Sequence, residues 1–151
     1  MNQINIVNRL MTPDEIDQVN AGFDSLYTDE GIDLESTERI SLVATKGDRL
    51  LGCASGLAHK NGKAYSGWFK LTDLFTEKEF RNQGIGSALL KELEDNIRRL
   101  GIQNIWLWTS GQASLRFYGR HGYVQFTEME TWYSDGSSRV GLRKNIVEND
   151  K

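Results

Sequence analysis

One segment in the middle of the chain has the hydrophobic spacing of an amphipathic helix. Its apolar residues recur every four positions, and most of its charged residues fall on the opposite side. Gly84 and Gly86 stand where the segment opens, and Gly101 follows its last turn, as a glycine beyond a helix C-terminus commonly does. The spacing therefore predicts a helix from Ile85 to Leu100. Its apolar positions are Ile85, Leu89, Leu93 and Ile97.

Alternating apolar and polar residues, bounded by turn signals, predict a series of strands around that helix. Hairpin turns are predicted at Asn61-Gly62 and at Asp135-Gly136, because these dipeptides favour the left-handed backbone that tight turns need. The predicted strands run from Ile4 to Arg9, Ile40 to Thr45, Leu50 to Ala58, Tyr65 to Thr76, Asn104 to Thr109, Tyr123 to Tyr133 and Ser138 to Asn145.

Two more helices are predicted beside these strands. One begins after Thr12, where Pro13 suits the first turn and Glu15 completes a capping box. The other runs from Gln112 to Arg120. The strand from Asn104 follows a strand–helix unit, so it is most simply parallel to the strand before that unit. The predicted fold class is α/β (α+β): a mixed, mostly antiparallel sheet of six to seven strands, with a parallel central pair and about four flanking helices.

Composition narrows the function classes. A chain of 151 residues is expected to form a single domain, 1–151, with a frayed tail at 147–151. Its net charge of −3 argues against general nucleic-acid binding. Cys53 is the only cysteine, and no apolar run is long enough for a membrane span, so a cytoplasmic protein is expected. His59 and His121 lack ligand spacing, and no metal site is assigned.

The glycines before the central helix indicate an anion site. The first turn of a helix has backbone N–H groups without partners, and glycine lets a ligand approach them. A P-loop would need a lysine after Gly86, and a dinucleotide fingerprint would need glycine or alanine where Leu89 stands. A plain glycine-opened helix is the remaining structural alternative. Arg81 adds a positive charge at the same end.

Two motifs resemble those of the GNAT superfamily of N-acetyltransferases. The run Arg81 to Gly86, an R-x-x-G-x-G pattern after the strand end Asp73-Leu74-Phe75-Thr76, resembles its acetyl-CoA loop. The run Leu115 to Tyr123 resembles its F-Y-x-x-x-G-F/Y signature. The order of predicted elements also looks like the GNAT fold. The resemblance implies an acetyl-CoA-dependent N-acetyltransferase that releases CoA and acts on a small-molecule or peptide amine. A homodimer is a further possibility that the sequence leaves open.

The resemblance also implies roles for individual residues. Tyr118 would protonate the leaving thiolate, and Asp73 would help to remove a proton from the amine. Some family members have Glu-Asp where this chain has Thr72-Asp73, and the family often has Asn and Ala where this chain has Gly111 and Ser114. The implied cofactor-binding residues are Leu74, Phe75, Thr76, Arg81, Asn82, Gln83, Gly84, Ile85, Gly86, Ser87, Gly111 and Ser114.

The acceptor side stays open at this point. Nine acidic residues and no lysine or arginine lie between Met11 and Glu38, which is either a solvated surface or a wall that attracts a cationic amine. Four aromatic residues could box a cation or pack structurally: Tyr27, Trp68, Trp132 and Tyr133. Glu128 and Glu130 are further candidates for the base. The alternative function is a non-catalytic protein of this fold that binds acyl-CoA or assembles with a partner.

Overall fold

The computed structural model describes residues 3–147, and the chain divides into two compact units between Leu34 and Glu35. Residues 148–151 of the expected tail lie outside the described residues. In the first unit, Thr12 caps helix α1, Pro13–Asp29. Its Oγ1 accepts a hydrogen bond from Glu15 N at 3.1 Å, and Glu15 Oε1 accepts one from Thr12 N at 2.8 Å, so the predicted capping box is confirmed.

The predicted first strand, Ile4 to Arg9, is wrong. Within the described residues this segment joins no ladder, because an isolated weak alternation has no neighbouring strand to pair with. Arg9 instead donates to both oxygens of the Glu15 carboxylate, at 2.7 and 2.9 Å. These hydrogen bonds, together with that from the Thr12 N–H, lower the pKa of Glu15 to about 2.

The second unit is a six-stranded mixed sheet with two α-helices. The strands lie in the order β1-β2-β3-β4-β6-β5, and only β3 and β4 run parallel. The predicted fold class is confirmed, although the described chain has three α-helices and a short 3-10 helix at Lys78–Phe80 rather than about four helices. The elements are β1 Ser36–Lys46, β2 Arg49–Asn61, β3 Ala64–Thr76, α2 Ile85–Arg99, β4 Asn104–Thr109, α3 Gln112–Arg120, β5 Val124–Met129 and β6 Arg139–Asn145.

The hydrophobic stripe of α2 forms the centre of the core, as its spacing predicts. Leu90, Leu93 and Ile97 are fully buried with Phe69 of β3 and Ile105 of β4. Burying such a side chain contributes about 1.5–3 kcal/mol relative to leaving it in water. The stripe therefore fixes α2 over the strands that its two ends connect. In the described part of the chain, no helix is long and apolar enough to cross a membrane.

The opposite face of the sheet carries tryptophans stacked with cations of the chain itself. Trp68 is covered by Arg143, with 4.8 Å between the guanidinium carbon and the ring centroid. Trp132 is covered by Arg139 at 5.2 Å. Two of the four aromatic residues considered for a cation box thus already hold an internal arginine. Lys70 over Trp106 and Arg139 over Trp108 continue the pattern.

β5 ends at Met129, four residues before the predicted end at Tyr133. Thr131 has a left-handed backbone with φ 52°, which breaks the extended run. Tyr133 N then donates to Ser137 O at 3.1 Å and closes the turn that contains the predicted Asp135-Gly136 signal.

Candidate active site

The parallel strands β3 and β4 separate after a short ladder. They pair only from Trp68 to Lys70 of β3, whereas β2 stays paired to β3 as far as Thr76. β4 turns its other edge to β6 along its whole length. From Leu71 to Thr76, β3 therefore has an edge with no strand partner among residues 3–147. An extended ligand with amide groups could pair with this edge as an added strand.

A β-bulge lies on β3 beside that edge. Ser55 pairs with Asp73 and Gly56 with Leu71, so Thr72 is the extra residue. Thr72 Oγ1 donates to Asp73 Oδ2 at 2.7 Å, and Arg39 Nη1 lies 3.6 Å from the same oxygen. The bulge thus holds the Asp73 carboxylate in a polar cluster next to the point where the strands separate.

The loop after β3 carries a row of unused backbone donors. From Asn82 through Ser87, no backbone N–H donates to an acceptor in the described part of the chain, and the first such bond of α2 is from Ala88 N to Gly84 O at 3.0 Å. Asn82 and Gly84 both have left-handed backbones, with φ of 63° and 83°. Alternation of this kind turns successive N–H groups into a concave nest, which suits an anion at the positive end of a helix.

Arg81 and Gly86 shape the same loop. Arg81 Nε donates to Thr76 O at 3.0 Å, which fixes the side chain across the base of the loop. A Cβ added at Gly86 would lie 3.6 Å from Thr76 Oγ1 and 3.8 Å from the Phe117 ring, inside the groove that those two side chains line. Glycine at this position therefore keeps the groove open.

The free edge, the loop and helix α3 line two adjoining grooves. The first, of about 310 Å³, runs between Leu74–Thr76 and the Tyr118 face of α3. The second, of about 390 Å³, lies over Asn82 to Ser87 and ends at Arg120. Both are lined by Thr76, Arg81, Gly86 and Phe117, so together they form one continuous surface.

Tyr118 is buried at the wall of the first groove. Its ring packs edge-on against Phe117 and Tyr123, with centroid separations of 5.2 and 5.4 Å. Burial raises the pKa of Tyr118 to about 12, so the phenol holds its proton at neutral pH. Its hydroxyl makes no hydrogen bond within residues 3–147, yet no fully buried polar side-chain atom there lacks a partner. The hydroxyl is therefore not fully buried, and Tyr118 lines the first groove.

A buried hydrogen-bonded cluster of Glu94, Tyr123 and Lys144 packs against Tyr118. Tyr123 Oη donates to Glu94 Oε2 at 2.8 Å, and Lys144 Nζ donates to Glu94 Oε1 at 2.9 Å. Burial, followed by the Glu94 carboxylate, raises the pKa of Tyr123. Both oxygens of the Glu94 carboxylate therefore accept a hydrogen bond. The Tyr123 ring, which packs against Tyr118, is held in one position as a result.

The structure brings together most of the residues that the sequence suggests for the site. Asp73 and Gln83 do not line either groove, and Gly111 lines a different cavity. The grooves also include residues not anticipated from the sequence. Ala113 and Phe117 could have been found from helical spacing, because they are four residues apart on α3, as Ser114 and Tyr118 are. The residues that do line the grooves are Leu74, Phe75, Thr76, Arg81, Asn82, Gly84, Ile85, Gly86, Ser87, Ser114 and Tyr118, and the unanticipated ones are Phe80, Ala113, Phe117 and Arg120.

A third cavity, of about 670 Å³, lies where β4 ends and α3 begins. Glu128 and Asp135 both line it, and no lysine, arginine or histidine does. Tyr133 is at its wall, where its hydroxyl accepts a hydrogen bond from Ser110 Oγ at 3.3 Å. Hydrogen bonds from Ser137 lower the pKa of Asp135, which keeps this carboxylate ionised.

Comparisons with known proteins agree on one family. A family model described as the acetyltransferase (GNAT) family matches residues 5–123. The chain is 29% identical over 85 residues to an acetyltransferase of Agrobacterium fabrum, covering 56% of this chain and 61% of that protein. It is 30% identical over 102 residues to N-alpha-acetyltransferase 30 of Schizosaccharomyces pombe, covering 64% of this chain and 65% of that protein. The matches thus span less than two thirds of the length of either relative.

One solved structure illustrates the likeness of fold. An acetyltransferase from Bacillus cereus superposes with a TM-score of 0.71 at 21% identity, over 91% of this chain and 97% of that one.

Proposed function

Because the chain belongs to the acetyltransferase (GNAT) family, we propose that it transfers the acetyl group of acetyl-CoA to a primary amine. The observation that carries the proposal is the single surface that joins the unpaired edge of β3, the row of free N–H groups from Asn82 to Ser87, and Tyr118. The acceptor is a small cationic amine or a peptide amine, and the name of the yeast relative supports the peptide alternative.

The residues present fit this cofactor. Backbone groups of Leu74 to Thr76 would pair with the amides of the pantetheine arm, and the nest at Asn82 to Ser87 would hold the diphosphate together with Arg81. The open space at Gly86, which a Cβ would fill, lies between these two regions. When bound, acetyl-CoA supplies an activated thioester and a thiolate leaving group.

Tyr118 acts as the general acid in this proposal. Its phenol is protonated at neutral pH, its hydroxyl is not fully buried, and the residue lines the first groove. A pKa of about 12 is above that of an ordinary thiol, about 8.5, which would make the proton transfer unfavourable in water. The buried surroundings that raise the pKa of Tyr118 also disfavour a thiolate beside it. They therefore raise the pKa of the CoA thiol as well, and the two pKa values come closer together.

The acceptor amine must lose a proton before it attacks. Asp73 serves as the base, directly or through water, because it directly precedes Leu74, which lines the first groove, and Thr72 holds its carboxylate. Glu128 and Glu130 are the other carboxylates in this role, and Glu128 lines the third cavity. The second candidate function is acyl-CoA binding without catalysis, and the position of Asp73 outside both grooves favours it.

The test is CoA release from acetyl-CoA with a panel of polyamines, aminoglycosides and peptides. Tyr118→Phe keeps the packing of the ring and removes the proton, so kcat is expected to fall about 10²–10⁴-fold with little change in KM for acetyl-CoA. Tyr65→Phe is the matched control, because the Tyr65 hydroxyl bonds to Glu38 and lines neither groove.

One outcome would count against catalysis, and another against the role of Tyr118 as the acid. If no amine is acetylated while acetyl-CoA still binds, the binding function is correct. If an amine is acetylated and Tyr118→Phe turns over as fast as the Tyr65→Phe control, the role of Tyr118 is structural.

A further inference from the structure

A cationic recess lies on the far side of the diphosphate loop. Its volume is about 490 Å³, and it opens between the first three turns of α2, the end of α3 and β6. It shares Ser87 and Arg120 with the groove over the loop, so the two spaces adjoin. The recess is lined by Ser87, Ala88, Lys91, Glu94, Arg120, His121 and Lys144.

The positive charge in this recess is not neutralised by the protein. The Glu94 carboxylate already accepts hydrogen bonds from Lys144 and Tyr123. Lys91 and Arg120 form no ion pair within residues 3–147, and Asp95, one turn after Lys91, is paired with Arg98 at 2.6 Å. Two unpaired cations therefore face one cavity in a chain whose net charge is −3.

The position of the recess is fixed by a contact between the two helices. Ser87 Oγ and His121 Nε2 are 2.9 Å apart, and the His121 ring packs against Phe117 with 4.7 Å between centroids. Ser87 is in the first turn of α2, and His121 caps α3. The end of α3 that carries Arg120 is therefore held close to the first turn of α2.

We propose that this recess binds the 3′-phosphate of CoA through Lys91 and Arg120, and that it makes the protein select CoA over dephospho-CoA. The proposal rests on the proposed function. A single ribose separates the 3′-phosphate of CoA from its diphosphate, which matches adjoining sites that share Ser87 and Arg120. A phosphomonoester dianion is a ligand that a guanidinium and an ammonium together bind well.

The experiment measures Kd for CoA and for dephospho-CoA by calorimetry, with wild type and Lys91→Met. Wild type is expected to bind dephospho-CoA about tenfold more weakly than CoA. Lys91→Met is expected to lose about tenfold in affinity for CoA and almost nothing for dephospho-CoA, because the lost contact is absent from that ligand. Raising the salt concentration should reduce the preference for CoA, since both cations are exposed.

Lys63→Met is the matched control, because it removes the same charge from the turn between β2 and β3, away from either space. Competition separates a cofactor phosphate from a phosphate carried by the acceptor: 3′,5′-ADP should displace CoA more strongly than 5′-AMP, from which it differs only by the 3′-phosphate. Equal affinity of wild type for CoA and dephospho-CoA, or equal losses for both ligands in Lys91→Met, would overturn the inference while leaving the transferase proposal intact. If wild type binds neither ligand, the proposed function itself fails.

Discussion

Two buried tyrosines beside the groove are expected to make the protein unstable in alkali. Burial raises the pKa of Tyr118 to about 12, and burial with the Glu94 carboxylate raises that of Tyr123. An unfolded chain loses these protons near pH 10. Above pH 10 the folded state therefore binds more protons, and the free energy of unfolding falls as pH rises. For Tyr118 the slope is at most about 1.4 kcal/mol per pH unit, and the loss approaches about 2.7 kcal/mol only when the pH is above both pKa values.

The assay is urea unfolding at pH 8, 9, 10 and 11, followed by tryptophan fluorescence. As far as these tyrosines contribute, the free energy of unfolding of the wild type should be the same at pH 8 and pH 9. It should fall at pH 10 and again at pH 11. Tyr118→Phe should remove one part of the fall in the free energy of unfolding with pH, and Tyr123→Phe another part. Lysine titration contributes equally to all variants, so it cancels when a variant is compared with wild type. Leu90→Val is the matched control, because it shortens a fully buried side chain without changing any ionisable group. If Tyr118→Phe loses stability in parallel with wild type from pH 9 to pH 11, the folded phenol ionises as freely as an unfolded one, and the reasoning is refuted.

Two further predictions follow from local geometry. Gly86→Val should raise KM for acetyl-CoA at least tenfold with little change in Tm, because the valine side chain would enter the groove between Thr76 and Phe117. Steady-state kinetics and a thermal melt test this prediction, and unchanged kinetics would show that the cofactor does not use the groove. Thr12→Ala should reduce the stability of α1 by about 1 kcal/mol, since it removes the hydroxyl that accepts a hydrogen bond from Glu15 N. Amide hydrogen exchange in the first turn of α1 should then become faster, and unchanged protection there would contradict the capping role of Thr12.

The order of elements in the second unit could be predicted because each has a local signal. The helices Ile85–Arg99 and Gln112–Arg120 follow from spacing, and the strand Asn104–Thr109 follows from alternation. The strand expected at Ile4 failed because pairing depends on a partner elsewhere in the chain, which alternation does not report. The early end of β5 depends on the left-handed backbone of Thr131. The sequence does not predict it, because a left-handed position is usually recognised by a glycine and a threonine stands there.

The candidate site divides in the same way. Residues next to the glycines were predictable, because the free N–H groups belong to one continuous stretch of chain. The cavity that contains Glu128 and Gly111, and the recess that contains Lys91 and Lys144, were not. Each brings together residues from elements far apart in sequence. Their assembly depends on the order of strands β4, β6 and β5 in the sheet rather than on spacing.

Between Leu71 and Thr76 the sheet has an open seam, bounded by the ladder to β4 at one end and by the loop at the other. Its length, roughly 20 Å, is enough for a foreign strand to dock edge-to-edge and begin an aggregate. A bound pantetheine arm would close the seam and remove that hazard. Shelf life and solubility of the purified protein should accordingly depend on how fully the seam is filled.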